Sequence, residues 1–343
     1  MWNDARRSRP DHVTQFFERA STLAPGVAVS LVLALAATFL SEHYAAPVML
    51  FALLLGLGFN FLADIGKTRP GVDFSARALL RIGVALLGLR IGASQIAALG
   101  WQPVLMVVLL VAALIVGSIA LARTMGFNPL FGFLSGGATA ICGASAALAI
   151  AASLPAHERK DQAMLFTVIL VSVLSTIAMI AYPLVADLAG LTDRQAGIFL
   201  GATIHDVAQV VGAGYAISPE AGDTAVIVKL VRVAMLLPVI MVAGQITRHD
   251  ATAGSERPPL LPWFVVAFAI LVIVNSLLAL PAAVTAGAGE LSRWCLVISL
   301  AAIGMKTRPG DLVKVGIKPV VLMLVQTVLL AGITMAVIKL GWL

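Results

Sequence analysis

Eleven stretches of mostly apolar residues constrain the fold of this chain more than any other feature. A membrane helix needs about 20 such residues. Hydrophobic residues make up 60% of the chain and charged residues only 12%, so a water-soluble fold could not bury this much apolar surface. The sequence therefore predicts an all-α polytopic membrane protein with ten or eleven transmembrane helices. The predicted spans are 26–43, 46–64, 76–95, 102–122, 129–153, 162–188, 195–217, 223–246, 261–283, 288–305 and 317–340.

The chain divides into a short polar tail and one membrane domain. Residues 1–25 are predicted to form a cytoplasmic tail, because no apolar region with a small-residue cleavage site follows directly. Residues 26–343 are predicted to form a single transmembrane domain, since the loops between the spans are short. Within that domain, repeat-like segments cover 46–122 and 261–340, and a central group of helices covers 129–246.

Lysine and arginine residues predict the orientation. The net charge of +6 does not indicate nucleic-acid binding, because the basic residues lie in short loops between apolar spans. With a cytoplasmic N-terminus, the cytoplasmic segments hold 15 Lys and Arg residues and the opposite segments hold five. In this topology Arg194 lies inside and Lys160 outside. The bias supports an N-terminus in the cytoplasm.

Two segments suggest an internal repeat. Residues 82–104 align without a gap on residues 298–320, at an offset of 216. The third predicted helix thus matches the tenth, seven crossings later, so the two copies run in opposite directions. Inverted repeats are typical of secondary transporters. The matched pairs are Ile82 and Ile298, Ala85 and Ala301, Gly88 and Gly304, Arg90 and Lys306, Ile96 and Leu312, Gly100 and Gly316, Pro103 and Pro319, and Val104 and Val320.

The fifth predicted helix contains a glycine-rich run at 136–145, Gly-Gly-Ala-Thr-Ala-Ile-Cys-Gly-Ala-Ser. Because glycine is unfavourable inside a helix by about 1 kcal/mol relative to alanine, the run predicts a break. A break frees backbone N–H groups that an anion can satisfy. The alternative is a small-residue face that packs against another helix or against a second copy in a homodimer.

The seventh predicted helix carries Gly-Ala-Thr-Ile-His-Asp-Val-Ala-Gln at 201–209. Asp206 lies about 16 Å into this span, close to the bilayer midplane. An ionisable residue at that depth is a functional hypothesis by default. His205 and Gln209 lie on one face, four residues apart. The alternative is that Asp206 forms a structural ion pair with a base on a neighbouring helix.

The eighth predicted helix supplies two deep bases, Lys229 and Arg232. They lie on one face, about 9 and 14 Å into the span. Within the spans, two buried bases thus face essentially one deep acid, which favours an anionic ligand as the missing negative charge. Arginine suits this task because its planar fork of donors matches oxyanions. A purely structural pair between Arg232 and Asp206 remains open.

Signals for an enzyme are poor. Nucleotide-binding and hydrolase motifs are missing, and we expect no cofactor and no metal. Three other function classes remain open: a sodium/proton antiporter that uses Asp206, an intramembrane enzyme built on His205, Asp206 and Cys142, and a gated anion channel.

Four motifs resemble the YeiH-like family of proposed sulfate exporters: the runs at 81–90, 136–151, 201–214 and 223–233. The resemblance covers nearly the whole chain from about residue 25. It implies a multi-pass transporter of the bacterial inner membrane, in the cation/proton antiporter and anion transporter superfamily. It also implies broken helices, a core that moves against a scaffold as in an elevator, and export of sulfate or a related sulfur anion.

These observations predict a secondary transporter of a small inorganic or organic anion, with sulfate or a sulfonate as candidate substrates. We expect an anion cradle in the glycine-rich run, hydrogen bonds from the seventh helix, charge balance from the two deep bases, and proton or sodium coupling through His205 and Asp206. The predicted substrate-binding residues are Gly137, Thr139, Cys142, Gly143, Ser145, Thr203, Gln209, Lys229 and Arg232.

Overall fold

The computed structural model describes residues 12–44, 47–89, 91, 97–154, 160–246, 263–278, 280–308, 310 and 316–342. Within these ranges the chain is helical, with no strand. The helices are α1 (His12–Tyr44), α2 (Val48–Gly58), α3 (Arg69–Phe74), α4 (Leu80–Leu87), α5 (Gln102–Thr124), α6 (Pro129–Ala140), α7 (Ala144–Ser153), α8 (Lys160–Leu188), α9 (Asp193–Thr203), α10 (Val207–Ile217), α11 (Pro219–Ala234), α12 (Leu236–Ile246), α13 (Trp263–Leu277), α14 (Ala282–Lys306) and α15 (Ile317–Lys339).

Among the described residues, six helical segments are long and apolar enough to cross a membrane: α1, α5, α8, the α11–α12 pair, α14 and α15. Their exposed faces carry large apolar side chains such as Leu109, Val116 and Val328, which suit contact with lipid. The prediction of an all-α polytopic membrane protein is confirmed. The break predicted in the glycine-rich run is confirmed at Ile141–Gly143, and a second break lies at Ile204–Asp206.

The helices form two packing groups. One group, called the scaffold here, consists of α1–α4, α13 and α14, and the other, called the hairpin group, consists of α5–α12 and α15. Contacts within each group are dense. The groups meet mainly where α10 packs on α2 and α14, and where α11 touches α13. This arrangement agrees with the core and scaffold that the family resemblance implies.

The glycine-rich run forms the tip of a helical hairpin. A methyl group added to Gly137 of α6 would lie 2.5 Å from the Cδ1 atom of Ile150 in α7. In a single straight helix, two residues 13 positions apart would lie about 20 Å apart. The chain therefore reverses at Ile141–Gly143, where Gly143 has a positive φ of 66°. We call α6 and α7 the first hairpin.

A second hairpin is formed by α9 and α10. Gly197 in α9 packs against Ala221 at the start of α11, and Gly214 in α10 packs against Gly222 one residue further on. Both arms thus have their open ends beside the start of α11. The reversal at Ile204–Asp206 lies deeper, at the tip. The absence of side chains on these glycines lets the arms approach α11 closely.

The two hairpins enter from opposite faces of the membrane. The first hairpin begins beside the end of α5, where Gly132 packs against Ala122. The second begins beside the other end of α5, where Arg194 donates a hydrogen bond of 2.9 Å to the carbonyl oxygen of Leu99. Because α5 has 23 residues, its ends are about 34 Å apart. Each hairpin therefore re-enters from its own side.

This arrangement corrects two predicted spans. The segments 129–153 and 195–217 each turn back instead of crossing, which removes two crossings from the predicted eleven. The apolar-length rule failed because two short half-helices present as many consecutive apolar residues as one full span. For the residues between the two hairpins, the predicted sides of the membrane are exchanged. Lys160 now lies on the same side as the N-terminus, and Arg194 lies on the opposite side. The move of Lys160 adds a positive charge to the N-terminal side and the move of Arg194 removes one, so the excess of positive charge on that side is kept.

The third predicted span is also shifted. It was expected at 76–95, whereas α3, a π turn at Ser75–Leu79 and α4 form one continuous segment from Arg69 to Leu87. Its pairing with α14 is antiparallel, because Asp73 contacts Lys306 at 2.5 Å while the Ser292 hydroxyl donates to the Gly83 carbonyl oxygen.

The inverted repeat itself stays a prediction. Several of its matched positions, including Arg90, Ile96 and Leu312, lie outside the described residues. The antiparallel pairing of α4 and α14 agrees with copies that run in opposite directions.

The hairpin topology can be tested by cysteine labelling in intact and inverted vesicles. We expect Lys160→Cys to react with a membrane-impermeant thiol reagent from the N-terminal side and Arg194→Cys from the opposite side. Lys318→Cys is the reference, because it lies on the N-terminal side in either topology. The native Cys142 and Cys295 are buried and should stay silent. Reversed labelling of the two test positions would mean that both segments cross the membrane.

Candidate functional site

The two hairpin tips meet around the ammonium group of Lys229. Its Nζ donates hydrogen bonds to the carbonyl oxygen of Ile141 at 2.7 Å and of Ile204 at 3.0 Å. Each carbonyl belongs to the residue that directly follows the first helix of its hairpin, α6 in the first hairpin and α9 in the second. Lys229 is completely buried. One side chain on α11 thus joins the two tips.

Arg232, one turn further along α11, binds the same two helix ends. Its Nε donates to the Ala140 carbonyl oxygen at 2.7 Å, and one terminal nitrogen donates to that of Thr139 at 2.8 Å. The other terminal nitrogen donates to the carbonyl oxygens of Gly201 at 3.1 Å and Ile204 at 3.0 Å. Only 1% of this residue is exposed. Four of its five N–H groups therefore bind backbone.

These contacts have a clear physical cause. The last carbonyl groups of a helix have no partner within the helix, and they form the negative end of its dipole. In the membrane interior each unpaired group costs several kcal/mol. Two helices that end at mid-membrane therefore need cationic donors, which Lys229 and Arg232 supply.

Asp206 does not form the structural ion pair with Arg232 that was one alternative. Its Oδ1 accepts a hydrogen bond from the Ala208 N–H at 2.8 Å and so caps the start of α10. Its own N–H donates to the Ser175 hydroxyl on α8 at 2.9 Å. Asp206 is partly exposed, unlike its buried neighbour His205. Among His205, Asp206, Lys229 and Arg232, Asp206 is thus the residue that is not fully buried.

His205 connects the tips to α15. Its Nδ1 lies 3.1 Å from the Thr139 carbonyl oxygen, and its Nε2 lies 3.0 Å from the Thr327 hydroxyl. A carbonyl can only accept, so Nδ1 carries the proton in this contact. A hydroxyl both donates and accepts, so Nε2 can hold or lack a proton without movement of the heavy atoms.

Gln209 and Thr203 lie beside the tips with different hydrogen bonds. The Gln209 Nε2 donates to the Thr176 hydroxyl at 2.8 Å, while its buried Oε1 has no partner. The Thr203 hydroxyl donates to the Phe199 carbonyl oxygen in its own helix at 2.6 Å. Thr203 therefore supports the backbone of α9, and Gln209 retains a free acceptor.

The remaining predicted residues lie at the first tip. Gly137 packs against Ile150, and Gly143 caps α7 without a side chain. Cys142 is buried, whereas Ser145 in the first turn of α7 is exposed. The small-residue alternative also holds in part, since Gly136 packs tightly against Ser118 of α5. The run thus supplies both a chain reversal and a packing face.

A polar network on α15 and α8 was not predicted from the sequence. Gln326 bridges the first hairpin, with Nε2 donating to the Ser135 hydroxyl at 2.9 Å and Oε1 lying 3.4 Å from the Thr139 hydroxyl. Ser175 and Thr176 on α8 bind the second tip. Adjacent polar pairs within otherwise apolar spans were the available signal. In the part of the chain that the structure describes, no three His, Cys, Asp or Glu side chains come together as a metal site.

The fold and the site define a polytopic membrane protein in which two re-entrant hairpins from opposite faces meet at a buried pair of cations. The sequence profile described as "Conserved hypothetical protein 698" matches residues 25–323. The chain belongs to this family, whose curated relatives are named UPF0324 membrane proteins. This agrees with the YeiH-like resemblance in the sequence.

The relatives are similar along nearly their whole length. TauZ of Paracoccus denitrificans is 52% identical over 90% of this chain and 92% of its own. CT0845 of Chlorobaculum tepidum is 51% identical over 90% of this chain and 87% of its own. RB0971 of Rhizobium meliloti is 46% identical over 92% of both chains. No solved structure matches this chain.

The role of Arg232 predicts a strong effect on stability. Arg232→Met should destabilise the protein by about 3–5 kcal/mol, because it leaves buried partners uncompensated at both helix ends. The control is Arg293→Met, which removes an exposed contact of 3.2 Å to Glu290 and should cost at most about 1 kcal/mol. Thermal unfolding in detergent measures both. Equal losses of melting temperature would contradict the assignment.

Proposed function

We propose that this protein is a secondary transporter of a small anion, and that the anion binds at the start of α7, between the hairpin tips. The observation that carries the proposal is the imbalance of charge at the tips. Two buried cations, Lys229 and Arg232, lie there with one acidic residue, Asp206. A bound anion would supply the missing negative charge.

A comparison of the two tips supports the position of the anion. Each first arm contains Gly-Ala-Thr shortly before the reversal, at 137–139 and at 201–203. In the second hairpin, the Asp206 carboxylate caps the start of α10. In the first hairpin, Gly143 occupies the corresponding position before α7 and has no side chain. The positive end of the α7 dipole thus has no acidic cap. A substrate anion would take the place there that Asp206 has at α10.

The predicted residues take two kinds of role in this proposal. Ser145 would contact the anion through its backbone N–H and its exposed hydroxyl, whereas the Gly143 N–H donates to the Ala138 carbonyl oxygen at 2.8 Å, so Gly143 contributes by leaving the cap position without a side chain. Lys229 and Arg232 would act mainly through their charge, since each uses all but one of its N–H groups on backbone. Direct contact of these two bases with substrate, expected from the sequence, is limited to the remaining N–H of each.

Sulfate and small sulfonates are the proposed substrate class. Tetrahedral oxyanions suit a helix start, because several N–H groups point at one small charged ligand. We place the protein in the bacterial inner membrane with a cytoplasmic N-terminus, as the basic residues indicate. There the inside-negative potential favours exit of an anion, so export is the proposed direction.

His205 and Asp206 are the proposed coupling residues. Asp206 is partly exposed, and the Nε2 of His205 can gain or lose a proton against the Thr327 hydroxyl. The same carboxylate favours a second candidate, a sodium/proton antiporter that uses Asp206. In that case sodium flux would persist in the absence of any anion.

A charge placed at the proposed docking position should block transport. In proteoliposomes, Ser145→Asp should lower kcat/KM for sulfate or methanesulfonate roughly 100-fold, because a like charge at the docking position costs several kcal/mol. An acidic residue in a first helical turn favours the helix, so folding should be retained. The measurement is saturable uptake of labelled anion.

The neutral variant Ser145→Asn is the matched control for that experiment. It should lower kcat/KM by no more than about threefold, because the amide NH2 can replace the hydroxyl as a donor to the anion. Equal loss in both variants would indicate a steric effect and contradict the proposed docking position. If the wild type moves no small anion under any gradient, the transporter proposal fails and sodium/proton exchange becomes the function to measure.

Asp206→Asn tests coupling separately from folding. Asparagine caps helices as well as aspartate does, so α10 should remain intact while the charge is lost. We expect uphill accumulation driven by a proton or sodium gradient to fall at least about tenfold, whereas downhill anion exchange continues. Measuring both fluxes in one preparation decides the point. Unchanged accumulation would exclude Asp206 as the coupling residue.

A further inference from the structure

Two arginines on the scaffold, Arg77 and Arg81, lie on the exposed face of the continuous segment from Arg69 to Leu87. They are four residues apart, so their side chains neighbour each other on this helical face. Ile82, beside them, is 37% exposed. This exposed face therefore carries two positive charges within a membrane span.

Arg81 lies too deep to reach the membrane surface. It follows Arg69 by 12 residues, which is about 18 Å along a helix, and the hydrocarbon layer is about 30 Å thick. The Cα of Arg81 thus lies deep in the hydrocarbon layer, and its guanidinium group, which leans back toward the helix start, stays within that layer. An arginine in contact with lipid at that depth is strongly unfavourable, and such residues normally face a water-filled cavity or the protein interior.

The nearby acidic residues are bound elsewhere. Asp73 is one turn before Arg77 and would suit an ion pair with it, but its Oδ1 contacts the Lys306 ammonium at 2.5 Å. Asp64 pairs with Arg308. Within the described ranges neither Arg77 nor Arg81 has a carboxylate at salt-bridge distance. Like charges one turn apart repel each other.

We infer that Arg77 and Arg81 form a second binding site for a small oxyanion, on the scaffold side of a water-filled passage. This inference rests on the proposed function, since the ligand is the transported anion. Arginine forks bind oxyanions through paired hydrogen bonds, and one anion between the two side chains removes their repulsion. Helical side chains lean toward the helix start, so both groups point to the N-terminal side. The site collects anions there before they reach the tips.

Solvent access is tested first, independently of transport. Arg81→Cys should react with a membrane-impermeant thiol reagent, and 10 mM sulfate, a concentration on the order of an ordinary weak site, should slow the reaction. Ile333→Cys on α15, 43% exposed on an apolar face, is the lipid-facing control and should not react. An unreactive Arg81→Cys in a protein that still transports anions would overturn this inference and leave the proposed function standing.

Kinetics then test anion binding. Arg77→Gln and Arg81→Gln should each raise the KM for anion supplied from the N-terminal side by about tenfold or more, since each removes a charged hydrogen-bond donor. Their kcat should change less. Arg69→Gln is the matched control, because Arg69 is equally exposed at the start of the same segment, and its KM should stay unchanged.

Two outcomes of these experiments contradict the site. A KM that rises equally in all three variants would reflect surface charge alone. A change from dimer to monomer in Arg81→Gln, with KM unchanged, would assign this face to a contact with a second copy of the chain. If Arg81→Cys is labelled but the wild type transports no anion, the proposed function is refuted instead.

Discussion

The binding of backbone carbonyl groups by Lys229 and Arg232 is the interaction on which the rest of the structure depends. Two helices, α6 and α9, end in the middle of the membrane, where water cannot satisfy their last carbonyl groups. The two bases on α11 donate to five of these oxygens, from Thr139, Ala140, Ile141, Gly201 and Ile204. Without these donors, neither hairpin could end at this depth. One helix thus fixes both tips, and it fixes them to each other.

The contacts that join the tips also determine where the open ends of the two hairpins lie. The first hairpin opens toward one face and the second toward the other, and α5 spans the distance between their bases. The second arms then begin at the centre with their positive dipole ends exposed. One of them is capped by Asp206 and the other only by Gly143. This difference between two otherwise similar tips makes the start of α7 an attractive position for an anion.

The division into a scaffold and a hairpin group relates the site to possible motion. Both tips, their bases and the supporting helices α8 and α15 belong to one group, so the docking position would move as a unit. The main contacts between the groups, among the described residues, are made by α10 and α11 on the hairpin side. Arg77 and Arg81 belong to the other group, on the scaffold. In the proposed second site, these two residues would place positive charge on the scaffold as well.

The sequence by itself determined the membrane environment, the helical class, the break in the glycine-rich run and most of the polar residues that lie at the tips. Apolar length and the cost of glycine or charge within lipid are local properties, so they can be read from the chain. Only the tertiary structure decided that the segments 129–153 and 195–217 turn back. It also decided that Lys229 and Arg232 bind backbone carbonyl groups, and that Asp206 caps a helix instead of pairing with Arg232. It also moved the start of the third helical segment to Arg69, which places the Cα of Arg81 about 18 Å from the start of that segment. The direction of a chain after a break, and the partner of a buried charge, depend on contacts between residues far apart in sequence, and apolar patterning carries no information about them.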